Sequence, residues 1–303
     1  MKSLFKGICL LEAPEFKFPE CNCLLIEDEV LCLVDTSASE AEFDQIKDRP
    51  IQMIVNSHGH PDHVLHNKDF SGAQIYLHEA DHHLLTGKEE FLRTFGFDLY
   101  HDDIIRPLYA DAVGYYEMLV NHAIVEGQRI NVGTIGFDVM HTPGHSAGHC
   151  CFTFPREGFV FTGDITGDMF GPWYGTLDSD IDQFIESINR LIDLGPDIIV
   201  PGHGARPLTS KVGKRMADYR DKLYLREEEI IKVMFSGKNT VEEIASERPI
   251  YKEFPEPKLI FFHYESMMVW HHVNRLVRMG RVNKEGERYY LKEGITPRNL
   301  QLG

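Results

Sequence analysis

Residues 21–36, CNCLLIEDEVLCLVDT, hold two apolar runs separated by the acidic break Glu27-Asp28-Glu29. Short apolar runs around a polar turn predict a β-hairpin. Residues 40–48 read as a short helix, and 51–55 and 73–77 as buried strands. From 79 to about 122 the spacing turns helical, with aromatics spread through it: Phe91, Phe95, Phe97, Tyr100, Tyr109, Tyr115 and Tyr116. Strands return at 134–141, 149–154 and 159–162. An amphipathic helix follows over 180–194, then a strand at 197–200. Strands, a helical insertion, more strands and an αβ unit together predict an α/β sandwich with side chains gathered on strand-end loops.

After residue 206 the pattern changes to charged helices. Residues 211–232 form one long helical stretch, and Thr240 precedes 241–245 with Glu243 placed for a capping box. Residues 265–279 are amphipathic and stop at Gly280. Two short runs in 281–291 then flank a Glu-Gly turn, as in a hairpin. Helix, helix and hairpin in that order is winged-helix-like. The chain therefore divides into a domain at 1–206, with its insertion at about 79–122, and a helical domain at 207–303.

Charge sharpens that division. The chain carries a net −16; residues 207–303 hold 18 Lys and Arg against 14 Asp and Glu, leaving −20 on residues 1–206. A body this acidic is poorly suited to holding a long polyanion. In the tail, Arg275, Arg278, Arg281, Lys284 and Arg288 could meet phosphates. The same helix is expected to expose Met267, Met268 and Trp270, which favours packing on the body or on a second copy of the chain. A homo-oligomer acting on a small-molecule substrate is expected, with nucleic acid disfavoured and no membrane partner. Neither a signal-peptide core nor an apolar run of spanning length occurs, so the expectation is a soluble cytoplasmic protein. The six cysteines lie mostly in strand-like stretches and read as buried reduced thiols.

The chemistry starts at SHGHPDHV, residues 57–64. His58, His60, Asp62 and His63 fall within six residues after a strand. Imidazole nitrogens and carboxylate oxygens suit zinc and other first-row divalent ions. By itself this stretch fits a mononuclear site or a satisfied polar loop. Three more strand ends place a His or Asp beside glycine: His145 in PGHS, Asp164 in TGD and His203 in PGHG. Glycine lets the backbone turn sharply and bring such a side chain close to an ion.

The series HGHPDH, PGHS, TGD and PGHG resembles the metallo-β-lactamase superfamily, and within it the dinuclear glyoxalase II-like hydrolases, over residues 10–206. The resemblance implies an αββα sandwich with the metals at one edge. It also implies that His58, His60 and His145 hold one ion, that Asp62, His63 and His203 hold the other, and that Asp164 bridges both. Asp62 and Asp164 would then be the catalytic carboxylates. Two divalent ions follow, zinc by expectation, with iron or manganese equally compatible with the ligands. Ions sharing a water lower its pKa from about 15.7 towards ~7, giving a bridging hydroxide for hydrolysis of an ester, thioester or similar small acyl substrate. Three rival readings stay open: a phosphodiesterase or ribonuclease, a mononuclear iron enzyme like the persulfide dioxygenases, and a ligand-sensing regulator without catalysis. The tail does not resemble the glutathione-binding region of glyoxalase II.

Around these residues, Asp35 is placed to hydrogen-bond a ligand histidine, and His141 and His149 to orient the His145 loop. The adjacent pairs His82-His83 and His271-His272 read as structural or surface. Phe170, Trp173 and Tyr174 sit in a turn-rich loop just after Asp164 and are the expected substrate-pocket residues; the insertion is placed to cap the site.

Overall fold

Along β3 (Cys23–Glu27), Leu24 and Ile26 turn to one side and Cys23 and Leu25 to the other. This is the period-two alternation of a strand. Both sets are fully buried, so something must cover each face of the sheet. The computed structural model describes residues 1–13, 17–99, 104–204 and 206–296 and shows what does. Tyr100, among the insertion's aromatics, lies outside them.

β3 belongs to a seven-stranded sheet with β1 (Lys2–Phe5), β2 (Ile8–Leu11), β4 (Leu31–Val34), β5 (Met53–Val55), β6 (Gln74–His78) and β7 (His122–Ile124), ordered as in the chain. Pairing is antiparallel from β1 to β4 and parallel from β4 to β7. A second sheet runs β12 (Ile198–Val200), β11 (Phe159–Phe161), β10 (Cys150–Phe154), β9 (Gly136–His141) and β8 (Arg129–Asn131). The inner faces share one apolar cluster, in which Leu24, Ile26 and Val34 join Phe137, Phe152 and Phe161. Ile46, just past α1 (Glu40–Phe43), packs on the outer face of the first sheet with Leu25, Leu33 and Ile54. After α2 (Pro61–Val64), the insertion α3 (His83–Thr86), α4 (Lys88–Thr94) and α5 (Arg106–Ala112) builds its own cluster around Phe91, Phe97 and Tyr109. Beyond the second sheet lies α6 (Ile181–Leu194), capped by Asp180 and ended by left-handed Gly195. The layers are αββα, as expected. β1, β2, β7 and β8, each three or four residues long, have no counterpart in the sequence reading.

The tail consists of α7 (Val212–Phe235), α8 (Val241–Ser246), α9 (Lys258–Arg278) and the hairpin β13 (Val282–Glu285) with β14 (Arg288–Leu291). Thr240 and Glu243 make the expected capping box. No break in packing occurs at 206. One cluster runs from Cys151, Val160 and Phe184 of the sandwich into Met216, Leu223 and Met268 of the tail. Met268 is therefore fully buried, not exposed, and Trp270 is half-buried against the same cluster; Met267, also fully buried, lies against Gly96 of the insertion. The stripe expected on the surface has already found its partner within the chain. Among the described residues, no helix is long and apolar enough to cross a membrane.

Arg275 is tied up in the same way. Its Nη1 donates to Glu227 at 2.6 Å and its Nε to Asp182 of α6 at 2.7 Å. Removing one partner of a buried pair leaves the other charge desolvated, at about 3–5 kcal/mol. Arg275→Glu should therefore lower stability by about that amount in chemical denaturation. Arg278→Glu, at an exposed position, should cost no more than about 1 kcal/mol.

Candidate metal centre

β5, β9, β11 and β12 all end at one edge of the sandwich, and the loops that follow carry His58 to His63, His145, Asp164 and His203. The structure brings all seven side chains together. The ligand nitrogens of His58, His60 and His145 lie within 4.8 Å of one another, and so do a carboxylate oxygen of Asp62 and nitrogens of His63 and His203. Asp164 lies between them. Its Oδ1 is 2.9 Å from His63 Nε2 and 3.5 Å from His203 Nε2, while Oδ2 is 3.3 Å from His145 Nε2.

Hydrogen bonds around the rim fix which nitrogen faces inward. His145 Nδ1 sits 2.9 Å from the carbonyl oxygen of Trp173, which can only accept, so the proton is on Nδ1 and Nε2 keeps its lone pair. His63 Nδ1 donates to Asp35 Oδ2 at 2.8 Å. Ser57 Oγ gives its own proton to Asp35 at 2.7 Å and so accepts from His58 Nδ1 at 3.0 Å. The inward Nε2 atoms of His145 and His58 are then two lone pairs only 3.1 Å apart, with no proton to share. His60 Nδ1 is 2.9 Å from the same His145 atom, and Oδ1 of Asp164, though buried, has no hydrogen-bond donor. A donor set that converges in this way is favourable only around a cation. These residues fit divalent metal ions.

Electrostatics agree. Burial, reinforced by the neighbouring imidazoles, pushes His58 and His60 well below the usual histidine pKa, into the neutral form that a ligand needs. Burial also works to lower His203, yet Asp164 and Asp62 raise it; a field that draws protons there draws cations too. At Asp164 burial raises the carboxyl pKa, but His203, His63 and His145 outweigh it and hold it well below the ordinary range.

Tight backbone packing accounts for the glycines. Gly144 has φ of +129°, and a Cβ there would sit 2.3 Å from Cα of Phe184 in α6. At Gly202 a Cβ would meet Cε1 of His63 at 2.8 Å. His141 and His149 orient loops as expected. His141 Nε2 lies 2.9 Å from the Ala147 carbonyl, and His149 Nε2 accepts the backbone N–H of Asp164 at 3.0 Å. Burial pushes His149 down to about 3, so it remains an acceptor. Both members of the pair His271-His272 are buried and structural, bonded to the Thr176 carbonyl and the Tyr174 hydroxyl.

The expected pocket residues divide. Trp173 borders the centre, its ring 5.6 Å from His145 and 5.9 Å from His60. Tyr174 does not line the pocket. It is fully buried on the opposite side, at 2.9 Å from His272, because consecutive residues of extended chain point opposite ways. Phe170 packs at a tilt against Tyr251, 5.0 Å between centroids, and under Arg226, so its ring is committed to the tail. Two contributors were not singled out from the sequence. Asp81 is buried and clamps the two histidine loops together. Its Oδ2 accepts from Gly59 N at 2.9 Å and Ser146 Oγ at 2.8 Å, and its Oδ1 from Gly148 N. Its signal was an acid three residues past the end of β6, hidden within a stretch read as helical. Tyr264 is the other: α9 begins at Lys258 and not at 265, its first turn hidden in the sequence because Leu259-Ile-Phe-Phe262 shows no helical face.

The family model described as the Metallo-beta-lactamase superfamily matches residues 17–203. A hydroxyacylglutathione hydrolase GloC of Haemophilus influenzae is 30% identical over 198 residues, which cover 61% of this chain and 85% of that protein. An atrochrysone carboxyl ACP thioesterase of Aspergillus chevalieri is 32% identical over 112 residues, 37% of this chain. That alignment spans only 34% of the thioesterase's length. Among solved structures, a metallo-beta-lactamase family protein from Thermus thermophilus has a TM-score of 0.73 at 22% identity, over 96% of this chain and 100% of that one. A beta-lactamase domain protein from Burkholderia ambifaria has a TM-score of 0.70 at 20% identity, over 96% and 93%. At such identities the likeness is one of fold, and it extends over the tail.

Two variants test this geometry. Gly144→Ala should force α6 and the His145 loop apart and abolish binding of at least one ion, read as metal content per chain. Asp81→Ala should leave all seven side chains present yet lower metal affinity about 10- to 100-fold, measured by competition with a chromogenic chelator.

Proposed function

The chain belongs to the metallo-beta-lactamase superfamily and is a metal-dependent hydrolase, and from that premise we propose that it cleaves an ester, thioester or similar small acyl substrate at a pair of divalent ions. The observation that carries this reading is the pairing of two three-residue donor groups across the single carboxylate of Asp164. His58, His60 and His145 would hold one ion, Asp62, His63 and His203 the second, and Asp164 both. Zinc is the proposed metal; five imidazole nitrogens and two carboxylates suit it, as they suit iron or manganese.

When bound, two such ions supply Lewis acidity, lowering the pKa of a water they share towards ~7 and polarising a carbonyl oxygen. The chain's own residues do the rest. Asp35, Ser57 and the Trp173 carbonyl keep three imidazoles in one tautomer each, so no reorientation is needed during reaction. His149 fixes the backbone of Asp164. Asp62, Asp164 and His203 are partly exposed while His58, His60 and His145 are buried, so substrate reaches the centre from the Asp62 and His203 side. The names of the two relatives, a hydroxyacylglutathione hydrolase and an acyl-carrier-protein thioesterase, both denote thioester cleavage and support an acyl substrate. No serine or cysteine nucleophile is required. Five of the six thiols are fully buried, and burial raises the pKa of each of those five.

The purified protein should carry two ions per chain, and Asp164→Ala should lose at least one. Activity against a panel of esters and thioesters should vanish with chelator and return with zinc, while thiol alkylation inhibits little. Full turnover by verified metal-free protein, or a trapped acyl-enzyme, would end this reading.

A further inference from the structure

Five aromatic side chains close a ring over one flank of the centre. His60 contacts Phe95 of the insertion at 5.4 Å and Trp173 at 5.9 Å between ring centroids. Phe95 packs on Tyr109 of α5 at 5.2 Å, and Trp173 on Tyr264 of α9 at 5.2 Å. The two phenol oxygens then meet at 2.6 Å. Trp173 is itself held from the tail, its Nε1 donating to the Tyr251 hydroxyl at 3.1 Å.

The direction of the phenol bond follows from burial. Tyr109 is fully enclosed, and Tyr264 oxygen is the one partner its hydroxyl has among the described residues. A buried O–H without an acceptor costs about 1–3 kcal/mol, so Tyr109 donates and Tyr264 accepts. Tyr264 is half-buried and keeps its own proton, which has no acceptor among the described residues. A donated hydrogen bond polarises the accepting hydroxyl and strengthens it as a donor. Tyr264 packs on Trp173, whose ring borders His145 and His60, so its hydroxyl lies on the flank of the centre. Burial raises both pKa values, so both remain neutral donors at physiological pH.

We propose that Tyr264, oriented by Tyr109, donates a hydrogen bond to the acyl oxygen of the substrate at this centre. The proposal rests on the acyl-substrate reading above. Tyr264 touches substrate and is a catalytic residue in that sense; Tyr109 acts through it and is a positioning residue. The surrounding walls, Phe95 and Trp173, are apolar ring faces that suit the carbon part of the acyl group.

Zinc-loaded wild type, Tyr264→Phe and Tyr109→Phe are compared with two probes. The first is turnover of p-nitrophenyl acetate and S-phenyl thioacetate. The second is acetate binding followed by Trp173 fluorescence in a Trp270→Phe background, which needs no turnover. Tyr264→Phe should keep two ions per chain, lose about 10²-fold in kcat and bind acetate about tenfold more weakly. Tyr109→Phe should show a smaller loss of the same kind, about three- to tenfold, because the donor stays but its orientation is no longer fixed. Tyr264→Phe with wild-type acetate affinity at unchanged ion content overturns the proposal. If two-ion wild type turns over neither substrate, the acyl reading fails on its own. The acetate titration then decides for or against the phenol donor.

Discussion

Asp35 is a carboxylate with no exposed surface, and the metal loop depends on it. One oxygen accepts the backbone N–H of Ser57 at 2.7 Å; the other takes Ser57 Oγ and His63 Nδ1. These bonds set the start of the loop, the ring orientation of His63 and, through Ser57, that of His58. Asp35 occupies a left-handed conformation at the end of β4, φ 56°, which a short polar side chain tolerates and a branched apolar one does not. The buried charge is stable there because every contact it makes is a donor. Replacing it would undo three orientations at once, although Asp35 itself is not one of the converging ligands.

From that anchor the architecture works outward in tiers. The two sheets supply rigid strand ends, the loops supply donors, and Asp81 ties the loop of His58 and His60 to that of His145. Parts of the chain outside the sandwich then complete the enclosure. Glu265 accepts the backbone N–H groups of Ile250 and Tyr251 at 2.9 Å, holding Tyr251 under Trp173. Arg226 reaches across to the carbonyls of Phe170 and Pro172, so the loop that carries Trp173 is fastened to α7. A charge-rich tail thus serves the centre through its buried side, where Arg226 and Arg275 satisfy internal acceptors.

How much of this was legible in the sequence follows the range of the interactions involved. The seven converging residues stood out because they follow four strand ends and lie beside glycine or proline, so chemistry and backbone punctuation coincide. The layers were readable wherever a strand fell within an apolar run bounded by polar or turn residues. What escaped notice depends on contacts between distant segments. Nothing local to Tyr174 distinguishes it from Trp173; only the position of α9 decides which of the two faces the centre. Tyr264 was hidden by an apolar run without periodicity, and Asp81 by the helical look of its surroundings. The burial of Met267 and Met268 was misjudged for the same reason: amphipathicity identifies a face that needs a partner, not where that partner is.

The bond between Tyr109 and Tyr264 also bears on how the protein is made. Synthesis runs from the N-terminus, and every converging ligand has been added once His203 has. The residue that closes the aromatic ring comes 61 positions later, about 3–12 s at ordinary elongation rates of ~5–20 residues per second. During that interval a nascent chain holds a donor cluster whose flank is open to water and to small competing ligands. The insertion, already synthesised, waits for a helix that is not yet translated. The protein therefore gains its ligands first and its shelter later, an order written into the chain by placing Tyr264 after His203.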